Sequence, residues 1–230
     1  MFSFASFFPY FITASFGLVI GSFLNVLICR IPRNESIVHP PSRCPECLSP
    51  IRPWDNIPIF SYLALKGRCR KCGVVISPVY PLIEAATSVM FVSLYFLHGM
   101  SVNFISDVLF GCILLTMSVV DIRHMIIPDR LTIPGGVIGF AIALSFGIQG
   151  IVRAIGGALI GVFLLIIMAF AGRLLFKRES MGLGDFKLVI VTGFFLGPIW
   201  NLAALIFAVL IGGIVFSILL GVMGMSELVQ

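Results

Sequence analysis

The chain has 230 residues, of which 59% are hydrophobic and 11% are charged, and its mean hydropathy is +1.13. Soluble domains carry about 25% charged residues, so this composition excludes an ordinary soluble protein. Continuously apolar runs of about 20 residues recur, which is the length of a membrane-spanning helix and lacks the alternation of a membrane β-barrel. The net charge of +5 does not indicate nucleic-acid binding, because all basic residues but one fall in three polar segments between apolar runs.

We therefore predict an all-α polytopic membrane protein with about seven transmembrane helices. The predicted spans are residues 8–29, 80–98, 103–120, 131–148, 152–174, 186–200 and 202–223. Gly197-Pro198 interrupts the apolar stretch from residue 188 to residue 223, and because proline cannot continue a helix we expect a tight hairpin there, with one kinked helix as the alternative. The first run has no basic start and exceeds the apolar core of a signal peptide, so we expect an uncleaved span.

The charge distribution predicts the orientation of these spans. Of the 15 Lys and Arg residues, 14 lie in segments on one side of the predicted membrane, and only Arg153 lies on the other. The positive-inside rule then places the amino terminus outside and the carboxy terminus inside. Anionic lipid headgroups are the expected partners of the basic loops, and no nucleic acid is expected.

Four of the six cysteines lie in a polar insertion, residues 30–79, between the first span (1–29) and the remaining bundle (80–225). They form two C-x2-C pairs separated by 21 residues, namely Cys44, Cys47, Cys69 and Cys72. This spacing is typical of a zinc ribbon, in which four thiolates hold one structural Zn²⁺. The insertion is predicted to be cytoplasmic, where disulfides are rare, so a thiol–disulfide pair is the less favoured alternative. Cys29 and Cys112 lie in or against apolar runs and are expected to pack.

Two aspartates stand at the ends of predicted spans, and both fall on the inner side. Asp121 follows the third span, where the helix dipole disfavours an anion, so capping does not explain it. Asp185 follows Gly182 and Gly184, which permit an unwound turn or close helix approach. Asp129 begins the next span and reads as a helix cap.

Two adjacent carboxylates cannot both ionise, so Asp121 and Asp185 would share one proton. The ionised member would take a proton from the attacking water, and the protonated member would donate to the peptide carbonyl oxygen. An intramembrane aspartic peptidase is the interpretation we favour. A small proton-coupled membrane carrier using the same two acids is the alternative, although a carrier would favour acids near the middle of the bilayer.

Several local patterns together resemble the type IV prepilin peptidase family. Besides the cysteine pairs, they are Gly21-Ser22-Phe23-Leu24-Asn25-Val26, Arg30-Ile31-Pro32, Asn56-Ile57-Pro58, Tyr80-Pro81-Leu82-Ile83-Glu84, Ile127-Pro128-Asp129 and Gly182-Leu183-Gly184-Asp185-Phe186-Lys187-Leu188. The resemblance extends from about residue 17 to residue 198, which is nearly the whole chain.

This resemblance implies a bifunctional enzyme of the bacterial inner membrane, with its active site at the cytoplasmic face. Such enzymes cut the basic leader from type IV prepilins or type II secretion pseudopilins between Gly and Phe, and then methylate the new amino terminus with S-adenosylmethionine. The family's catalytic aspartates fall on Asp121 and Asp185, and its zinc ligands on the four cysteines.

The remaining candidate residues have less specific signals. Gly182, Gly184 and Lys187 are expected to support the active-site loop around Asp185. Glu84 and Asn25 are candidate contacts for substrate or cofactor, with an internal polar contact between helices as an equal alternative. No G-x-G-x-x-G motif marks a pocket for the methyl donor.

Overall fold

A computed structural model describes residues 4–176 and 182–228 of the chain. Lys177 and Arg178, which belong to the basic segments counted above, lie outside the described residues. The helices are α1 Phe4–Arg30, α2 Phe60–Ala64, α3 Val79–His98, α4 Val102–His124, α5 Asp129–Ser145, α6 Gly147–Phe176 and α7 Leu183–Leu228. They divide between two compact units, Met1–Leu131 and Thr132–Gln230.

The all-helical prediction is confirmed for the described residues. Five helices are long and apolar enough to cross a membrane, namely α1, α3, α4, α6 and α7. Helix α5, with 17 residues, is shorter than these five. The total of seven spans and their orientation therefore stay predictions.

In the first unit, α1 packs directly against α3 through small residues. A Cβ atom added to Gly17 would lie 2.6 Å from the Cα of Ser88, and one added to Gly21 would lie 2.7 Å from the Cα of Glu84. The Ser88 hydroxyl donates a hydrogen bond across this contact to the Ala14 carbonyl at 2.9 Å. Glycine at two positions one turn apart lets the two backbones approach this closely, as in other membrane helix pairs.

The third long helix of this unit, α4, packs on α3 through aromatic side chains. The ring of Phe104 lies edge-on to the rings of Phe91 and Tyr95, with centroids 6.4 and 6.1 Å apart. At the α3–α4 turn, His98 Nε2 lies 3.0 Å from Asp107 Oδ2. The Asp107 side chain of α4 therefore has a partner on α3.

In the second unit, α7 reverses direction at Gly197-Pro198. Gly197 has the non-helical dihedral angles φ 73° and ψ −177°. The Asn201 amide donates to the Val189 carbonyl at 3.4 Å, although 12 residues of continuous helix would separate them by about 18 Å. The two arms of α7 therefore lie side by side, and the predicted hairpin replaces the kinked-helix alternative. The reversal comes at the predicted Gly197-Pro198 position, so the first arm ends slightly earlier than the predicted span end at residue 200.

The first arm of α7 runs antiparallel to α6 in close contact. A Cβ added to Gly157 would meet the carbonyl oxygen of Gly193, and one added to Gly161 would meet the Val189 side chain. The turn at Gly197 lies beside Arg153, 3.7 Å from its Cβ by the same construction. These three pairings share one register, which places Asp185 at the level of Leu165 of α6.

Candidate functional site

The two cysteine pairs sit in backbone turns of the same design. In the first, Cys44 N–H donates to the Ser49 carbonyl at 3.0 Å and Leu48 N–H to the Cys44 carbonyl at 3.0 Å. The second repeats this pattern, from Cys69 N–H to Val74 and from Gly73 N–H to Cys69, at 2.8 and 2.9 Å. We call these turns the two knuckles. Each is closed by a single β-bridge, Arg43 with Pro50 and Arg68 with Val75.

The knuckles bring all four predicted ligands to one point. The sulfur atoms of Cys44, Cys47, Cys69 and Cys72 lie within 4.8 Å of one another, and none forms a disulfide. Cys44 Sγ lies 3.8 Å from Cys72 Sγ. A tetrahedral ion with metal–sulfur bonds of about 2.3 Å separates its ligands by about 3.8 Å, so this spacing fits Zn²⁺.

The electrostatics of the four thiols also favour a cation between them. A hydrogen bond with the Ser49 hydroxyl, at 2.8 Å from Cys47 Sγ, lowers the pKa of Cys47 to about 6. The Val74 backbone favours the Cys72 thiolate, but burial and the other three thiols outweigh it and raise the pKa of Cys72 to about 12. Thiolates so close together repel one another, and a divalent cation removes that repulsion.

A surface ion pair connects the second knuckle to the segment that precedes α2. The Arg70 guanidinium donates two bonds to Asp55 Oδ1, at 2.7 and 3.1 Å, and one to Oδ2 at 3.0 Å. This bonding lowers the pKa of Asp55 below its usual value. The pair fixes the orientation of the knuckle on residues 53–56.

Asp185 lies in the first turn of α7 and helps to close that helix end. Gly182 N–H donates to Asp185 Oδ2 at 3.3 Å, and Asp185 N–H donates to the Gly182 carbonyl at 3.2 Å. A carboxylate three residues into a helix commonly bonds back to the residue before it, and the helix dipole stabilises its charge. The side chain is exposed, so one oxygen atom stays accessible to another molecule.

Asp121 occupies the opposite kind of position, in the last turn of α4. Its backbone carbonyl accepts the N–H of Met125 at 2.7 Å, and Met125 closes the helix in the left-handed conformation (φ 53°, ψ 38°). The Asp121 side chain is exposed and faces a helix end whose dipole opposes a negative charge.

Glu84 and Asn25 both bond to the backbone inside the first unit. The Asn25 amide donates to the Tyr80 carbonyl at 3.0 Å, and Glu84 Oε2 accepts the N–H of Ile59 at 2.7 Å. Both side chains are buried. These contacts agree with the internal polar role considered for them, and a substrate or cofactor contact stays a prediction.

The structure assembles the cysteine cluster, whereas the two aspartates belong to different units. Asp121 lies in Met1–Leu131 and Asp185 in Thr132–Gln230, and each is positioned within its own unit. Their approach to one another is therefore a prediction. Lys187 lies one turn beyond Gly184 on α7, on the arm that carries Asp185.

Sequence reasoning missed one residue that positions this arm. Asn201 is fully buried and donates to the Gly157 carbonyl at 2.9 Å, while its side-chain oxygen accepts from Thr192 Oγ1 at 2.7 Å. It thereby joins both arms of α7 to α6. An Asn in an otherwise apolar run was the available signal, since polar side chains within membrane helices usually bond across them.

Known families match almost the whole chain. Residues 15–98 match the bacterial peptidase A24 N-terminal domain, and residues 108–217 match the type IV leader peptidase family. The first match includes the cysteine cluster, and the second includes both aspartates.

Similar curated proteins carry the name prepilin leader peptidase/N-methyltransferase. The protein of Myxococcus xanthus is 38% identical over 204 residues, which cover 89% of this chain and 61% of that relative. The protein of Klebsiella pneumoniae is 38% identical over 79% of this chain and 82% of its own length. The protein of Neisseria gonorrhoeae is 34% identical over 92% of this chain and 82% of its own length. No solved structure matches the chain.

Proposed function

The chain belongs to the type IV leader peptidase family, and we propose that it acts as a prepilin leader peptidase and N-methyltransferase. It cleaves the basic leader from type IV prepilins or type II secretion pseudopilins, at a Gly–Phe bond, and methylates the new amino terminus. The observation that carries this proposal is the similarity itself, which includes both the cysteine knuckles and the two aspartates.

Asp121 and Asp185 form the proposed catalytic pair. One carboxylate removes a proton from a water molecule as that water attacks the scissile carbonyl carbon. The other carboxyl group donates its proton to the carbonyl oxygen, and the resulting tetrahedral intermediate breaks its C–N bond as the amine is protonated. Both side chains are exposed at the ends of apolar helices, which supports their access to water and substrate.

Gly182, just before α7, and Gly184, in its first turn, support this role at the start of the helix. The bond between Gly182 N–H and Asp185 Oδ2 holds the carboxyl group at the helix entrance. Lys187 is on the same arm and belongs to the proposed supporting loop.

Zn²⁺ in the cysteine cluster is proposed to be structural, since four protein ligands leave it no open position. S-adenosylmethionine is the proposed methyl donor; it would supply its methyl group to the free amine of the cleaved pilin, with cleavage of the C–S bond to leave the thioether S-adenosylhomocysteine and loss of a proton from the amine. Glu84 and Asn25 are the proposed polar contacts for substrate or cofactor.

The proposed location is the bacterial inner membrane, with seven spans, the amino terminus outside and the active site at the cytoplasmic face. A pilin leader is basic and the segment after the cut is apolar, so the scissile bond lies near the inner boundary of the bilayer. The basic segments of this chain support the same orientation.

The test mixes the purified chain in detergent with a prepilin-like peptide and follows cleavage. The variants are Asp121→Asn and Asp185→Asn, and the matched control is Asp107→Asn, a carboxylate on the same helix as Asp121. We expect cleavage by the unmodified chain and the control, and nearly complete loss in the other two. Full activity in Asp121→Asn or Asp185→Asn would exclude that residue, and no cleavage by the unmodified chain would favour the carrier hypothesis.

A further inference from the structure

The segment before and within α2 exposes large apolar side chains although it lies outside the predicted spans. Trp54, Ile57, Phe60 and Leu63 are 59%, 48%, 66% and 65% exposed. We call these four side chains the apolar patch. Phe60 and Leu63 are three positions apart on α2 and so share one face of it. Tyr62 is turned elsewhere, against Gly67.

The apolar patch is held beside the start of α3, a helix long and apolar enough to cross a membrane. Ile59, in the middle of the patch, donates its N–H to Glu84 Oε2 at 2.7 Å. Glu84 is five residues beyond Val79, where α3 begins, and this corresponds to about 7.5 Å along the helix. Glu84 is a buried residue of α3 and packs against Gly21 of α1. Its bond to Ile59 therefore fixes α2 beside the first turns of α3.

The charge around the patch is strongly positive. Residues 30–79 contain eight basic and three acidic side chains, so they account for the whole net charge of +5. A zinc ion bound by four thiolates would remove part of this charge and leave the segment positive. Arg52 lies over the ring of Trp54, with its guanidinium carbon 5.8 Å from the ring centre.

We propose that the apolar patch is a membrane-interface anchor, which inserts into the boundary between headgroups and acyl chains of an anionic bilayer. Apolar side chains of an interfacial segment sink about 5–10 Å into this boundary, and tryptophan is favoured there. Basic side chains beside them contact lipid phosphates. The anchor holds residues 30–79 against the membrane surface next to α1 and α3.

The observations favour lipid over the pilin substrate as the occupant of this patch. The leader of a prepilin is basic, and the positive segment would repel it, whereas anionic headgroups complement it. The position beside α3 also places the patch next to a helix that is long and apolar enough to cross a membrane and whose Leu82 side chain is 66% exposed.

Tryptophan fluorescence tests the proposal, because the chain has only two tryptophans, Trp54 and Trp200. The Trp200→Phe variant of the full chain, in nanodiscs containing phosphatidylglycerol, reports on Trp54 alone. We expect strong quenching by lipids brominated near the headgroup and little quenching by iodide in the water. Trp54→Phe is the matched control, which shows the quenching of Trp200 in the same discs.

Two outcomes would overturn the proposal. Strong quenching of Trp54 by iodide, without quenching by the brominated lipids, would place the patch in water. Recovery of the Trp54 emission when a prepilin-like peptide is added would show that the peptide displaces lipid, and would assign the patch to the substrate.

A second variant tests the patch itself. Phe60→Ser combined with Leu63→Ser, in the Trp200→Phe background, should lose most of the lipid quenching of Trp54 while keeping its zinc. Unchanged quenching would show that these side chains are not the anchor. None of these measurements requires cleavage, so Asp121→Asn should show the same quenching, and failure of the anchor is distinguishable from failure of the proposed peptidase.

Discussion

The cysteine cluster and the aspartates show two different ways of building a site. The four cysteines lie between residues 44 and 72 of one unit, and backbone hydrogen bonds within each knuckle aim the sulfur atoms at one point. Asp121 and Asp185 instead lie at opposite kinds of helix end, in two different units. A metal site of the first kind depends on local turns, whereas a catalytic pair of the second kind depends on how large helices pack.

The largest expected effect concerns the aspartates. If they act as one proton-sharing pair, Asp121→Asn, Asp185→Asn and the double variant should each lower kcat/KM for peptide cleavage by about 10³-fold or more, and to a similar extent. Groups that act together are non-additive, because the second substitution removes nothing further.

Cleavage kinetics of the four proteins measure this, with zinc content as the control for folding. If the effects of the two single substitutions multiply in the double variant, the aspartates act independently. The two aspartates would then not form one joint site, as the four cysteines do.

The next effect concerns the metal. Cys44→Ser should lower bound zinc from one ion per chain to a small fraction, because three remaining ligands hold the ion more weakly. Cys112→Ala is the matched control, since Cys112 is buried in α4 away from the cluster. This variant should bind as much zinc as the unmodified chain.

Metal analysis of the purified chains checks this prediction. We expect Asp185→Asn to retain its zinc, because the knuckles belong to the other unit. Equal zinc in Cys44→Ser and in the unmodified chain would contradict the four-cysteine site.

A smaller effect tests the first unit, which carries both the cysteine cluster and Asp121. Gly17→Ala would place a Cβ 2.6 Å from the Ser88 Cα and force α1 away from α3. We expect destabilisation by about 1–3 kcal/mol, as for other overpacked contacts. Gly212→Ala, where nothing lies within 4 Å of the added Cβ, is the control.

Thermal unfolding in detergent measures the difference between these two glycine variants. The same melting temperature in both would show that α1 and α3 are less closely packed than described.

The smallest effect tests the arm that carries Asp185. Asn201→Leu removes the bonds to Thr192, Val189 and Gly157, and should cost about 1–2 kcal/mol of stability. We expect kcat for cleavage to fall more than KM rises, since Asn201 positions the arm without touching substrate. Ser217→Ala removes only an exposed bond within α7 and should change neither quantity.

Particular residues show what the sequence could predict. The cysteine spacing was sufficient to predict the four-cysteine cluster, because two residues between the members of each pair define a local turn. Gly197-Pro198 was sufficient to predict the reversal in α7, because Pro198 has no N–H for the helix and Gly197 can adopt a positive φ. Pro9 and Pro134 have no glycine before them and lie inside α1 and α5. The helix bounds were predicted to within a few residues at most ends.

Other features depend on contacts that no local pattern contains. The bond from Ile59 to Glu84 joins residues 25 positions apart, and the Ile59 backbone adopts a positive φ of 60° to make it. Asn201 bonds to Gly157 across 44 positions. Sequence periodicity indicates which residues are buried but not which distant partner each one meets.

The register between α6 and the first arm of α7 has a consequence for how deep hydrolysis occurs. Asp185 lies level with Leu165, which precedes Arg173 by eight residues, or about 12 Å of helix. At the other end, the turn at Gly197 is level with Arg153, and in the predicted orientation Arg173 lies toward the cytoplasmic side. If the exposed Asp185 carboxylate hydrolyses peptide bonds at this level, water must pass along about two turns of α6 before it reaches that side chain.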